Sequence, residues 1–480
     1  MNSSSNRSFL GHPRALLTLC SIEIWERFSF YGMQGILLIY MYYSVAQGGL
    51  GIDQTLALGL MGAYSSSVYL STILGAWCAD RVLGNERTLF YSGCTVMCGH
   101  IVLALVSGVF GLIIGLVLIA LGSGGVKSTT SSILGALYSE DKSRRDAGFS
   151  IYYLGVNLGG LIGPALTGIL QSDLGFHYGF GLAAIGMACG LFIYARGRKQ
   201  IPQSEWRASH ALSPKERGLY ALGGAVAIVV IALLLVSGAI NASNLDTVFF
   251  GIIAFAAVAY FAGILLSPSV TGVERKQVLI FIPIFIASSF FFALYFQFYT
   301  AITVLFDQHV NRMVMGGEVP VAWLSSAESL FIIILSVAFA WLWTRLGHRQ
   351  PSSTIKFVMA LVILAISYAG YIPFVGTGHL VPLWVPVAMV FIFACAEMCI
   401  SPIGLSLSTK LAPKAFQTQM VALFMLSLAL GFAMGGRLGQ YYTESHAVLY
   451  FSSLVMIGLA TALVLLCFFP MIKRLAPGDY

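Results

Sequence analysis

Charge is what this sequence has least of. Asp, Glu, Lys and Arg make up 9% of its 480 residues, while the hydrophobic set makes up 58%. A large water-soluble domain carries about a quarter of its residues as charges, so this chain cannot supply itself with a polar coat and must use a bilayer as solvent. The 51 glycines and 15 prolines are spread along apolar runs, which excludes collagen-like repeats and low-complexity disorder. The 8 cysteines lie in apolar stretches with no zinc-type spacing and read as small packing residues, so a disulfide scaffold and a metal centre are both excluded. No nucleophile stands at a useful spacing from a His and an acid, and the chain is not expected to be an enzyme. The opening MNSSSNRSFL has neither a short apolar core nor a small-residue cleavage site, so the first helix is expected to act as its own insertion signal.

What is present in quantity is long apolar runs. Cut at charged, Gly and Pro punctuation into lengths of about 20 residues, they give fourteen spans, near 15–43, 54–78, 88–107, 109–137, 147–171, 178–195, 218–238, 247–267, 277–305, 322–344, 355–374, 383–408, 417–440 and 448–470. An even count puts both termini on one side. Of the 26 Lys and Arg, all but Arg27, Lys127, Arg312 and Arg437 then fall in segments on that same side, which the positive-inside rule makes cytoplasmic. The net charge of +7 is therefore a matter of membrane orientation and implies no nucleic-acid partner. The longest polar connection, residues 195–218, follows six spans, and a second, 267–277, follows two more. The expected organisation is a bundle over 1–200, a cytoplasmic linker with two peripheral helices over 201–276, and a second bundle over 277–480. The fold class read here is all-α integral membrane. Six plus two plus six helices resembles the major facilitator plan, in which substrate sits between two halves.

Intramembrane charge costs about 2.5–3.5 kcal/mol per group on insertion scales and is usually functional. The spans hold Glu23, Glu26 and Arg27 in the first, Lys127 in the fourth, Glu328 in the tenth and Glu397 in the twelfth. At ~1.5 Å rise per residue, Glu26, Tyr69, Lys127, Asn157 and Glu397 all lie roughly 18–20 Å from their cytoplasmic anchors, near mid-membrane, with Glu328 higher at roughly 26 Å. Glu23, Glu26 and Arg27 share one helix face at spacings of three and four. Two carboxylates in the field of Arg27 and Lys127 make a site expected to bind and release a proton. Gly155, Gly159 and Gly163 read as a close helix crossing, GSGGVK at 122–127 is rejected as a phosphate loop, and His100 reads as packed or hydrogen-bonded.

Motifs along the whole chain carry a resemblance. Glu23-Ile-Trp-Glu26-Arg27-Phe28-Ser-Phe30-Tyr31 resembles the ExxERFxYY signature of the proton-dependent oligopeptide transporters. Gly75 to Gly84 with Asp80 and Arg81, GGVK ending at Lys127, FSIYYLGVN ending at Asn157, and Glu397-Met-Cys-Ile-Ser401-Pro402 through Lys410 match as well. The resemblance implies a proton-coupled symporter importing di- and tripeptides by alternating access, driven by the proton gradient with no cofactor. It implies partners that are peptide, protons and lipid, function as a monomer, and a bacterial cytoplasmic (inner) membrane location with both termini cytoplasmic. The alternative is a same-fold proton-coupled carrier of another small amphoteric or anionic metabolite.

By the same resemblance, Glu23, Glu26, Arg27 and Lys127 couple protons. Arg27 and Lys127 also receive the peptide carboxylate, and Glu397 receives the amino group. Tyr31, Tyr69 and Asn157 line the pocket, and Gln297, Glu328 and Ser401 complete the substrate-binding set. This chain departs from the pattern at Phe30 in place of a tyrosine, at Gln34 and Phe296 in place of charged residues, and at Glu328 in place of an asparagine. Glu328 is accordingly expected to take part in amino-terminus recognition or the extracellular gate.

Overall fold

A computed structural model of the chain describes residues 11–138 and 144–475. Its helices are α1 (Arg14–Tyr42), α2 (Gln54–Cys78), α3 (Asn85–Leu105), α4 (Gly108–Leu137), α5 (Arg145–Leu174), α6 (Phe176–Gly197), α7 (Pro214–Val236) and α8 (Leu245–Leu266). They continue as α9 (Gly272–Tyr295), α10 (Ala301–His309), α11 (Trp323–Leu346), α12 (Ser353–Ala369), α13 (Trp384–Met398), α14 (Ser401–Lys410), α15 (Gln417–Gly439) and α16 (Ala447–Leu475). Every expected span contains helix. Twelve helical segments are long and apolar enough to cross a bilayer. The remaining two spans are α1, whose 29 residues carry Glu23, Glu26 and Arg27, and α12, which at 17 residues is short. This is an all-α, multi-pass membrane protein of about fourteen spanning helices. The loop after α10 adds only two-residue strand pairs: Val310–Asn311 with Val381–Pro382, and Met313–Val314 with Gly317–Glu318.

Two spans expected to be single helices are each broken into two. Between α9 and α10 the chain tightens into a 3-10 turn over Phe296–Tyr299 and leaves helical geometry at Thr300 (φ −125°, ψ −100°). Between α13 and α14 it does so at Ile400 (φ −120°, ψ −46°), just before Pro402, whose missing N–H and ring oppose a continuous ladder. Irregular backbone at membrane depth needs its polar groups satisfied internally. At the first break the Gln297 amide donates to the carbonyls of Ala293 and Gly435, both at 2.9 Å, and the Tyr368 hydroxyl donates to Leu294 O at 2.5 Å.

The described residues gather into two compact units. The first takes the chain up to Leu50 and Ser67–Leu245. Its α1 and α5 cross closely because α5 carries glycine at the contact: a Cβ on Gly159 would sit 2.4 Å from Ile24 O, and one on Gly163 would sit 2.3 Å from Phe28 O. The small-residue stretch 155–168 is thus packing surface. Likewise GSGGVK is buried helix, its Gly124 backbone against Ser71 of α2. His100 is fully buried in α3 with no hydrogen bond to either ring nitrogen among the described residues. In this unit α7 has no buried residue.

The second unit takes Gly51–Ser66 and Asp246–Tyr480, so the first turns of α2 belong to it. Gly62 there meets Gly436 of α15, where a Cβ would fall 2.5 Å from the partner Cα. Helix α8 buries Asp246, Ile253, Ala257 and Ile264 and is fastened by Arg437, whose guanidinium donates to Thr247 Oγ1 at 2.8 Å.

Candidate functional site

In the first unit α1 presents its charged triplet inward. Glu23 and Glu26 are fully buried and Arg27 is 9% exposed. The i, i+4 geometry lets Arg27 Nε donate to Glu23 Oε1 at 2.8 Å with Nη2 2.7 Å from the same oxygen, while Nε lies 3.5 Å from Glu26 Oε2. One guanidinium therefore serves two carboxylates. The other oxygen of Glu26 accepts from Ser123 Oγ of α4 at 2.9 Å, a buried donor that sequence reading passed over inside the GSGGVK stretch. Gly159 allows the α5 backbone to lie against Arg27, since a Cβ there would come within 2.8 Å of Arg27 Cβ.

Lys127 of α4 is held in another way. It makes no ion pair among the described residues, and its Nζ stands 4.6 Å from the Phe30 ring centroid and 5.8 Å from that of Tyr69. A cation over aromatic faces is held by the ring quadrupole without being neutralised. The Phe30 departure thus keeps the part of a tyrosine that a cation uses, the ring face, and gives up only the hydroxyl. Tyr31 packs edge-on against Phe30 at 5.5 Å. Asn157 is 8% exposed and donates to Tyr153 O of its own helix at 2.9 Å, and Gln34 is buried.

In the second unit the two acids converge on one phenol. Tyr295 OH, at the end of α9, lies 2.7 Å from Glu328 Oε1 of α11 and 3.2 Å from Glu397 Oε2 of α13, and Tyr299 OH donates to Glu328 Oε2 at 3.3 Å. The Tyr295 ring stacks on Phe393 at 4.7 Å, which fixes where its hydroxyl points. Glu328 is 3% exposed and has no cationic partner among the described residues. A rise of ~1.5 Å per residue separates Glu328 from Glu397 by roughly 6 Å in depth. The structure brings both within hydrogen-bond reach of Tyr295, a difference that long side chains span. Tyr295 and Tyr299, four apart across the 3-10 turn, are the organising residues that sequence reading did not single out.

Gln297 is fully buried and fully used. Besides its two carbonyl acceptors, its Oε1 accepts from Thr300 Oγ1 at 3.1 Å and from the Tyr450 hydroxyl. Phe296 is buried on Phe432 with centroids 5.0 Å apart. Ser401 opens α14, and its side chain lies outside the described residues.

Both units therefore hold membrane-buried carboxylates organised by hydroxyls, an arrangement suited to moving protons and gripping small charged groups. The comparisons agree with this chemistry. A transporter of uncharacterised function from Bacillus subtilis, YclF, is 36% identical over 100% of this chain and 98% of its own length. A di-/tripeptide transporter of Lactococcus lactis subsp. lactis is 36% identical over 96% of each. A crystal structure of a peptide transporter in complex with sulfate superposes with TM-score 0.93 at 40% identity, covering 98% of this chain and 97% of that one. The profile of the POT family matches residues 86–457, and with relatives matched along nearly the whole chain, this protein belongs to the POT family, the proton-dependent oligopeptide transporters.

Proposed function

We propose that this chain is a proton-coupled symporter that imports di- and tripeptides by alternating access. The observation that supports the reading is that one unit holds a cationic group on aromatic faces, Lys127, and the other an acid pair organised by one phenol, Glu328 and Glu397. A zwitterionic peptide offers one carboxylate and one ammonium, and these are the complementary charges. In this reading Lys127 and Arg27 take the peptide carboxylate, Glu397 takes the amino group, and Tyr31, Tyr69 and Asn157 line the pocket. Glu23 and Glu26 exchange the proton, each already sharing Arg27. Gln297 serves the scaffold of the helix break, and Ser401 contributes from the start of α14.

Glu328 receives a definite role. One O–H cannot donate to two carboxylates at once, so the Tyr295 bridge is best satisfied when a proton or a substrate ammonium joins the two acids. The acid on α11 then belongs to amino-group recognition and to proton release on loading.

The two bundles, 1–200 and 277–480, would alternate about the substrate, with 201–276 as linker and peripheral helices. The distribution of basic residues supports cytoplasmic termini, and the likeness to bacterial members supports a bacterial inner membrane. It would act as a monomer, without cofactor. One charge moved through 100 mV supplies about 2.3 kcal/mol and one pH unit about 1.4, together roughly several-hundred-fold accumulation.

The test is uptake of radiolabelled dialanine into proteoliposomes under an inward proton gradient. Wild type accumulates it, and Glu26→Gln loses accumulation while still exchanging peptide across the membrane. If folded wild type takes up no di- or tripeptide, the substrate is another small amphoteric or anionic metabolite.

A further inference from the structure

Where α1 begins and α6 ends, the first unit has an open cleft of about 450 Å³ that the transport reading leaves unused. Arg14 and Arg196 stand over it, one from each helix. Neither is ion-paired among the described residues, and no acidic side chain lines the cleft. The Arg196 guanidinium is held over the Phe192 ring, 4.0 Å from its centroid, which fixes its plane. The floor is tight: Gly197 rests against Thr18 so closely that a Cβ would fall 2.2 Å from Thr18 Oγ1. Next to the arginines Leu17 and Ile193 are 41% and 42% exposed. In a membrane protein those side chains meet acyl chains.

Two guanidiniums without an ion pair among the described residues, above an apolar wall, match one chemical object, a phosphate carrying hydrocarbon. Arginine grips phosphate oxygens through parallel N–H donors, and basic clefts between helices at the cytoplasmic surface are suited to anionic headgroups. We propose that this cleft binds an anionic phospholipid of the cytoplasmic leaflet, its phosphate between Arg14 and Arg196 and its acyl chains along Leu17 and Ile193. The leaflet rests on the topology proposed above. The binding itself does not.

The test uses full-length protein, delipidated and placed in detergent micelles, with adducts of phosphatidylglycerol and phosphatidylcholine quantified by native mass spectrometry. At about fivefold per arginine, Arg14→Gln and Arg196→Gln each weaken phosphatidylglycerol binding by about that factor and the double variant by about thirtyfold, with phosphatidylcholine unchanged. The pair Arg14→Lys/Arg196→Lys keeps most of the preference, which separates charge from folding. The proposal is overturned if the double glutamine variant keeps the wild-type preference, or if inorganic phosphate displaces the lipid and so shows the ligand to be a free anion. Dialanine exchange measured in parallel keeps the readings apart. Lost exchange with intact lipid preference would sink only the transport reading, and the converse only this one.

Discussion

The polar clusters of the two units solve the same problem by opposite means. In the first, two buried carboxylates are held by a guanidinium and a serine hydroxyl on continuous helices. In the second, Glu328 and Glu397 are joined through the Tyr295 phenol, beside a helix interrupted at Phe296–Thr300. A fixed cation makes the first cluster a standing ion pair that a proton must disturb. A shared hydroxyl joins the two acids of the second, where Glu328 has no cationic partner among the described residues. The contrast teaches that a carboxylate's neighbours, more than the carboxylate, decide whether it stores a proton or receives a substrate.

The largest effect should come from breaking the first cluster. Arg27→Met leaves Glu23 and Glu26 buried without their cation and is expected to destabilise the protein by about 3–5 kcal/mol, as removal of one partner from a buried pair does. Thermal unfolding in detergent reads this, and an unchanged midpoint would mean that the carboxylates are protonated in the resting state. Glu397→Gln comes next. Losing one charged hydrogen-bond partner of the ammonium, worth about 1.5–3 kcal/mol, raises the dipeptide KM roughly ten- to hundredfold, as measured by counterflow. Tyr295→Phe sharpens the comparison itself, since it removes the bridge and neither acid. Uptake should fall about tenfold and its pH profile flatten, whereas Tyr299→Phe, which removes the longer 3.3 Å contact, costs less. Equal losses in the two variants would contradict a shared-proton bridge. The smallest change is expected at the lysine's aromatic seat. Phe30→Leu loses about 0.5–2 kcal/mol of cation–π attraction and slows uptake about two- to thirtyfold, while Phe30→Tyr stays near wild type.

Much of the molecule is legible without coordinates. Span count follows from run length against bilayer thickness, a one-dimensional comparison that survives any detail of packing. The α1 triplet is legible for a similar reason: residues three and four apart on a helix must share a face, so Glu23, Glu26 and Arg27 could be paired from spacing alone. The glycines at 155, 159 and 163 announce a close crossing in the same local way. Ser123 and Lys127 were less accessible. Both lie in one short stretch of α4, yet one donates to Glu26 and the other turns to Phe30 and Tyr69. Which does which depends on the rotation of α4 against α1 and α2.

The number of spans, about fourteen, and the identity of the few charges placed within them were already settled along the chain, because each is set by composition along a line. Only the folded chain shows how the break after Tyr295 is satisfied, with Gln297 bonded across it, and that Glu328 and Glu397 meet at Tyr295. Those outcomes rest on distances between groups up to 153 residues apart in the chain, set by helix packing, backbone interruption and side-chain reach, and periodicity along one helix carries no information about any of them.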